Sequence, residues 1–88
     1  PSEALINGEQ LLAGPFHVSF KELVLTKLWQ EKLANIPNNT KTISVNPREI
    51  NYAIGYNGVN RKILQEKFPF LKFISDSNVQ IGTFIAQN

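Results

Sequence analysis

Two glycines, Gly55 and Gly58, enclose Tyr56 and Asn57 and are followed at once by Asn60, Arg61 and Lys62. Glycine tolerates backbone conformations closed to other residues and carries no Cβ, so this spacing lets the main chain approach another polymer closely. The cations just beyond stand where a helix is expected to begin. Unpaired N–H groups and the positive end of a helix dipole attract phosphate there, and Arg61 and Lys62 add charge. Arg48, upstream, is a further cation within the same basic stretch. The chemistry these residues allow is the gripping of a sugar-phosphate chain, with Tyr56 offering a stacking face worth about 1 to 3 kcal/mol per base in single-stranded binders.

Other chemistries find less material. The chain has no cysteine, which excludes disulfides, cysteine nucleophiles and cysteine-ligated metal, and a lone His17 forms no metal site without carboxylate help. No carboxylate pair, no serine with a partnered histidine and no phosphate-binding lysine loop assembles, so no enzyme, cofactor or metal is expected. Asn38-Asn39-Thr40 fits a glycosylation acceptor but reads as a turn. No apolar run approaches the ~18 residues of a membrane span, and no signal-peptide pattern opens the chain, so a cytoplasmic protein without membrane association is expected. A first residue of proline and the absence of methionine suggest a piece of a longer protein.

A chain of 88 residues makes one small domain, and 42% hydrophobic residues, six of them Phe, supply one core. The net charge of +2 is modest but unevenly spread. Between positions 41 and 72, six cations stand against Glu49 and Glu66, a balance of +4, and the remainder carries −2. Basic character therefore concentrates around the glycine pair.

The elements that must position that pair follow from spacing. Ser19 with Glu22 three residues on is a capping-box pattern, and Val18 can staple onto Leu23. A helix is expected from Ser19 to about Ala34, with Leu25, Leu28, Trp29, Leu33 and Ile36 as its apolar face, before Pro37 and Asn38-Asn39 break it. Upstream, Asn7-Gly8 between Leu5-Ile6 and Leu11-Leu12 fits a hairpin turn. Thr42 to Val45 reads as a strand. Asn46, Pro47 and Glu49 then suit the cap and first turn of a helix whose apolar face is Ile50, Ala53 and Ile54. Asn57-Gly58 is also a hairpin signal, but the apolar residues on both flanks recur at three and four, which means helix, sharp turn, helix. The second helix carries Val59, Ile63, Leu64 and Lys67 to Phe68, where Pro69 stops it. Ile63, Leu64 and Phe68 are expected to bury most of its length, which argues against a DNA-reading recognition helix. Phe70 to Ile74 reads as a buried strand, Asp76-Ser77-Asn78 as a turn and Val79 to Ile85 as a last strand.

The stretch from Ile43 to Leu64, above all Ala53-Ile54-Gly55-x-x-Gly58-x-Asn60 between a strand and a helix that leads into another strand, resembles a KH domain. It is closest to those of bacterial transcription elongation and termination factors. The resemblance covers about a third of the chain well and the rest in outline. It implies an α+β, KH-like fold: a small sheet of three or slightly more strands, helices on one face, and the GXXG turn joining two short helices. The single domain of residues 1–88 would comprise an N-terminal extension (1–18), a flanking helix (19–36), the KH core (41–75) and a terminal strand (79–86). It further implies a bacterial module that binds single-stranded RNA, in preference to DNA, through Gly55, Tyr56, Asn57, Gly58, Asn60, Arg61, Lys62 and Arg48. In KH domains the bases of about four nucleotides lie in an apolar groove beside the turn; by position Ile50, Ile54 and Phe73 would line it here. The middle of the turn departs from the family, since Tyr56 and Asn57 replace the usual basic residues. A degenerate KH-like domain that docks a protein partner, or other domains of a longer chain, is the alternative. The strand completing the sheet could come from the segment before Ser19 or from the final strand, and the sequence leaves both open.

Overall fold

The computed structural model describes residues 19–88. The hairpin expected at Asn7-Gly8, the Val18 staple, His17 and the N-terminal source for a further strand lie outside the described residues.

The first helix, α1 (Phe20–Lys32), starts where its cap pattern places it: the Glu22 N–H donates to Ser19 Oγ at 2.9 Å. Its buried face is Thr26, Trp29 and Leu33, continued by Ile36 beyond the helix. Leu28, expected on that face, is exposed with Phe20 and Val24, so the inward stripe is rotated toward Thr26. The strand β1 (Thr42–Val45) matches its expected bounds and sends Ile43 and Val45 fully into the core. Complete burial of two β-branched side chains stabilises the fold by about 1.5–3 kcal/mol each.

Asn46 closes a turn ahead of the next helix. Its Oδ1 accepts from the Arg48 N–H at 2.9 Å, and α2 (Ile50–Ile54) begins only after Glu49. Glu49, expected to complement the helix end, instead uses Oε1 to accept the Gly82 N–H at 2.7 Å, while Asn46 Nδ2 donates to the Val79 carbonyl. These two bonds fasten the loop between the last two strands across the start of α2. A single 3₁₀ turn (Tyr56–Gly58) then leads into α3 (Val59–Lys67), so the glycine pair joins two helices.

The strand β2 is Lys72–Ser75, two residues later than the apolar run suggests. Phe70 is 87% exposed because Pro69 and Phe70 form a turn closed by the Leu71 N–H on the Phe68 carbonyl. Likewise β3 is Phe84–Gln87 rather than Val79 to Ile85, because residues 76–83 are held as successive turns, with Asn78 N–H on Asp76 Oδ1 and Thr83 N–H on the Gln80 carbonyl.

The sheet has the order β2-β1-β3, with β1 parallel to β2 and antiparallel to β3. Parallel neighbours need a long crossover; here it consists of α2, the turn and α3. Among the described residues the final strand thus completes the sheet beside β1. Register places Phe73, Ile43 and Ala86 in one row and Ser75, Val45 and Phe84 in the next. Trp29 meets Phe84 edge-on with centroids 6.3 Å apart, and Lys32 reaches from over the Trp29 ring to the Gly82 carbonyl at 3.1 Å. The result is an α+β fold with a three-stranded mixed sheet and a core of Trp29, Leu33, Ile43, Val45, Ala53 and Phe68. No described helix is long and apolar enough to cross a membrane.

Candidate nucleic-acid interface

The glycine turn is built around backbone shapes that side chains resist. Gly55 has φ +92° and ψ 160°, a region confined to glycine. A Cβ there would lie 3.0 Å from the Asn60 backbone nitrogen and 3.1 Å from both Asn60 Cγ and Thr26 Cγ2. Asn57 (φ 55°) and Gly58 (φ 72°) follow in the left-handed region, one of the few places where a non-glycine residue such as Asn is tolerated. A Cβ at Gly58 would meet only Arg61 Nη2, at an ordinary 3.5 Å.

Thr26 ties this turn to α1. Its Oγ1 accepts the Tyr56 N–H at 3.1 Å, and its carbonyl accepts Asn60 Nδ2 at 2.9 Å. Asn60 Nδ2 also reaches the Tyr52 carbonyl at 3.5 Å. Because both partners are carbonyls, the amide orientation is set: nitrogen toward α1 and α2, Oδ1 away from them. Asn60 is 1% exposed, so the sequence expectation that it contacts nucleic acid gives way to a positioning role. It holds the first turn of α3 against α1 from behind. Thr26, which spacing did not single out, carries the other half of the fastening.

The outward side of the turn is different. Asn57, Arg61 and Lys62 are exposed, Tyr56 and Gly58 half-buried, and no side chain caps the N-terminus of α3. The Arg61 guanidinium folds back over Gly58, placing a cation beside the left-handed backbone of the turn. Arg48 precedes α2 while the turn follows it, and it lines a polar depression with Ser19, Glu22, Asn51 and Tyr52.

The expected groove residues fall on neighbouring elements. Ile50 and Ile54 lie on α2, which packs against β2, and Phe73 lies on β2 in register with Ile43; all three are partly buried. On the opposite face of the sheet, Ser44 sits in register between Ile74 and Ile85, both exposed. Ile63, expected in the core, is exposed on α3. Among the described residues no group of three or more His, Cys, Asp or Glu side chains gathers in a way that could hold a metal ion.

Compared with family models, with curated proteins and with solved structures, the chain finds no match.

Proposed function

We propose that the chain is a KH-like module that grips single-stranded nucleic acid, RNA in preference to DNA, on the outward side of the Gly55–Gly58 turn. The observation that carries this reading is the pairing of the left-handed, side-chain-free backbone at Gly58 with the Arg61 guanidinium lying over it, at the uncapped start of α3. Phosphate meets the helix end, Arg61 and Lys62; a base or sugar stacks on Tyr56; and Asn57 supplies hydrogen bonds in place of a charged grip. The bases then pass toward Ile50, Ile54 and Phe73. Phosphate contact fixes position without specifying sequence, so base preference resides in that apolar stretch.

A second reading rests on the exposed Ile74 and Ile85 flanking Ser44. Here the same fold docks a protein partner through the far face of the sheet, and the turn is only a corner.

Titration with a fluorescent degenerate single-stranded RNA at two salt concentrations separates the readings. Gripping predicts salt-sensitive binding, because neutralised phosphates release counterions, and predicts its loss in a Tyr56→Asp/Asn57→Asp variant. No binding at low salt, or equal binding by the variant, ends the nucleic-acid reading and leaves the docking one.

A further inference from the structure

At the far end of α3 from the glycines, the turn that keeps Phe70 out of the sheet leaves its ring 87% exposed, more than any other large apolar side chain among the described residues. The backbone that carries the ring is nevertheless pinned. Phe68 and Leu71 on either side are buried, and the Leu71 N–H bonds the Phe68 carbonyl at 3.0 Å. Pro69 fixes the chain between them. Gln65 Nε2 donates to the Leu71 carbonyl at 3.2 Å, and the Lys72 N–H to the Lys41 carbonyl at 3.0 Å. An exposed ring on a fixed backbone loses little freedom when a flat group stacks on it.

The surroundings of the ring carry one sign of charge. A depression of about 220 Å³ lies beside Phe70, and among the described residues its charged lining side chains are Lys41 and Lys67. Both are exposed and both are anchored. Lys41 follows the buried Thr40, whose N–H and hydroxyl both donate to the Pro37 carbonyl, and Lys67 Nζ stands 5.6 Å from the Phe68 ring centroid. Lys72, exposed at the start of β2 opposite Thr42, adds a third cation nearby. Glu66, beside Lys67 in the chain, is exposed and outside that lining.

An aromatic face among ammonium groups suits a polymer that carries both flat rings and anions. An acidic peptide supplies the anions without a ring at every step, whereas single-stranded nucleic acid supplies both. We infer that Phe70, Lys41 and Lys67 form a second contact for single-stranded nucleic acid, in which a base stacks on the Phe70 ring and the phosphates flanking it meet Lys41 and Lys67. The inference rests on the nucleic-acid reading for its class of partner, but its residues are separate from the glycine turn. The nine residues of α3, about 14 Å of axis, run from one contact to the other, so a strand that touches both gains avidity.

The test titrates the 88-residue chain and its variants with a fluorescent degenerate single-stranded RNA at two salt concentrations, and follows the amide signals by NMR. Phe70→Leu, which keeps apolar bulk and removes the ring face, should bind at least about 5-fold more weakly, and Phe70→Trp no more weakly than the parent. Lys41→Gln/Lys67→Gln should lower the slope of log affinity against log salt by about one to two. In the parent, RNA should shift Lys41, Lys67 and Phe70 as well as the turn. At NMR concentrations the Tyr56→Asp/Asn57→Asp variant should keep the shifts at Lys41, Lys67 and Phe70 although tight binding is lost, and Phe70→Leu should keep those at Asn57, Gly58 and Arg61. Shifts at the turn alone overturn this inference and leave the turn's role standing; shifts at Lys41, Lys67 and Phe70 alone do the reverse. Parent-like affinity in Phe70→Leu, or polyglutamate moving the same three signals as tightly as RNA does, also overturns it.

Discussion

Gly55 and Gly58 are equivalent in the sequence pattern and different in the molecule. Gly55 faces inward, where a Cβ would press on the backbone of Asn60 and on Thr26, in a conformation that only glycine adopts. Gly58 faces outward in a left-handed conformation that other residues reach at modest cost, with only the mobile end of Arg61 nearby. The first glycine therefore belongs to folding and the second to the surface. One motif is divided between holding the turn and presenting it.

Substitutions break this comparison in a graded way. Gly55→Ala has the largest expected effect: backbone strain of about 1–3 kcal/mol and a similar overpacking cost add to roughly 2–6 kcal/mol in a urea melt. A loss below about 1 kcal/mol would mean that the turn relaxes freely and that Gly55 is not its anchor. Thr26→Val keeps the shape of the side chain but strips the Tyr56 N–H of its acceptor, which should cost about 1–3 kcal/mol by the same measurement. Gly58→Ala should cost only about 1 kcal/mol, because its strain is the left-handed φ alone, yet it should weaken RNA binding severalfold by placing a methyl group on the approach to the turn backbone. Arg61→Ala and Lys62→Ala come last in stability, within about 0.5 kcal/mol of the parent. Each should reduce the slope of log affinity against log salt by about one. Unchanged slopes would place the phosphates elsewhere.

How legible these parts are in the sequence follows the range of the interactions that make them. The Ser19 cap, the β1 strand and the helix–turn–helix at the glycines depend on neighbours a few residues away, and their patterns are visible in the chain. The Thr26 fastening links residues 30 and 34 positions apart. A threonine inside an apolar helix pattern gives no local sign of such partners. Asn60 misleads for a related reason: polar and beside the glycine turn, it has the character of a contact residue, and only tertiary packing turns it inward. Strand boundaries failed where apolar character did not mean burial, as at Phe70, whose turn holds it outside the sheet. Helical spacing likewise puts Leu28 and Ile63 on buried faces although both are exposed, because spacing alone does not set how each helix is rotated toward the core. The element order is partly legible, but the pairing of β3 with β1 rests on contacts across about half the chain.

The central claim is that the outward half of the turn meets nucleic acid while the inward half only holds it in place. Amide NMR mapping with a short single-stranded RNA of mixed sequence tests this most directly. The account predicts the largest shifts at Asn57, Gly58, Val59 and Arg61, with smaller ones at Ile54 and Phe73. Shifts confined to Ile74 and Ile85 on the far face of the sheet, or no shift at low salt, would contradict it.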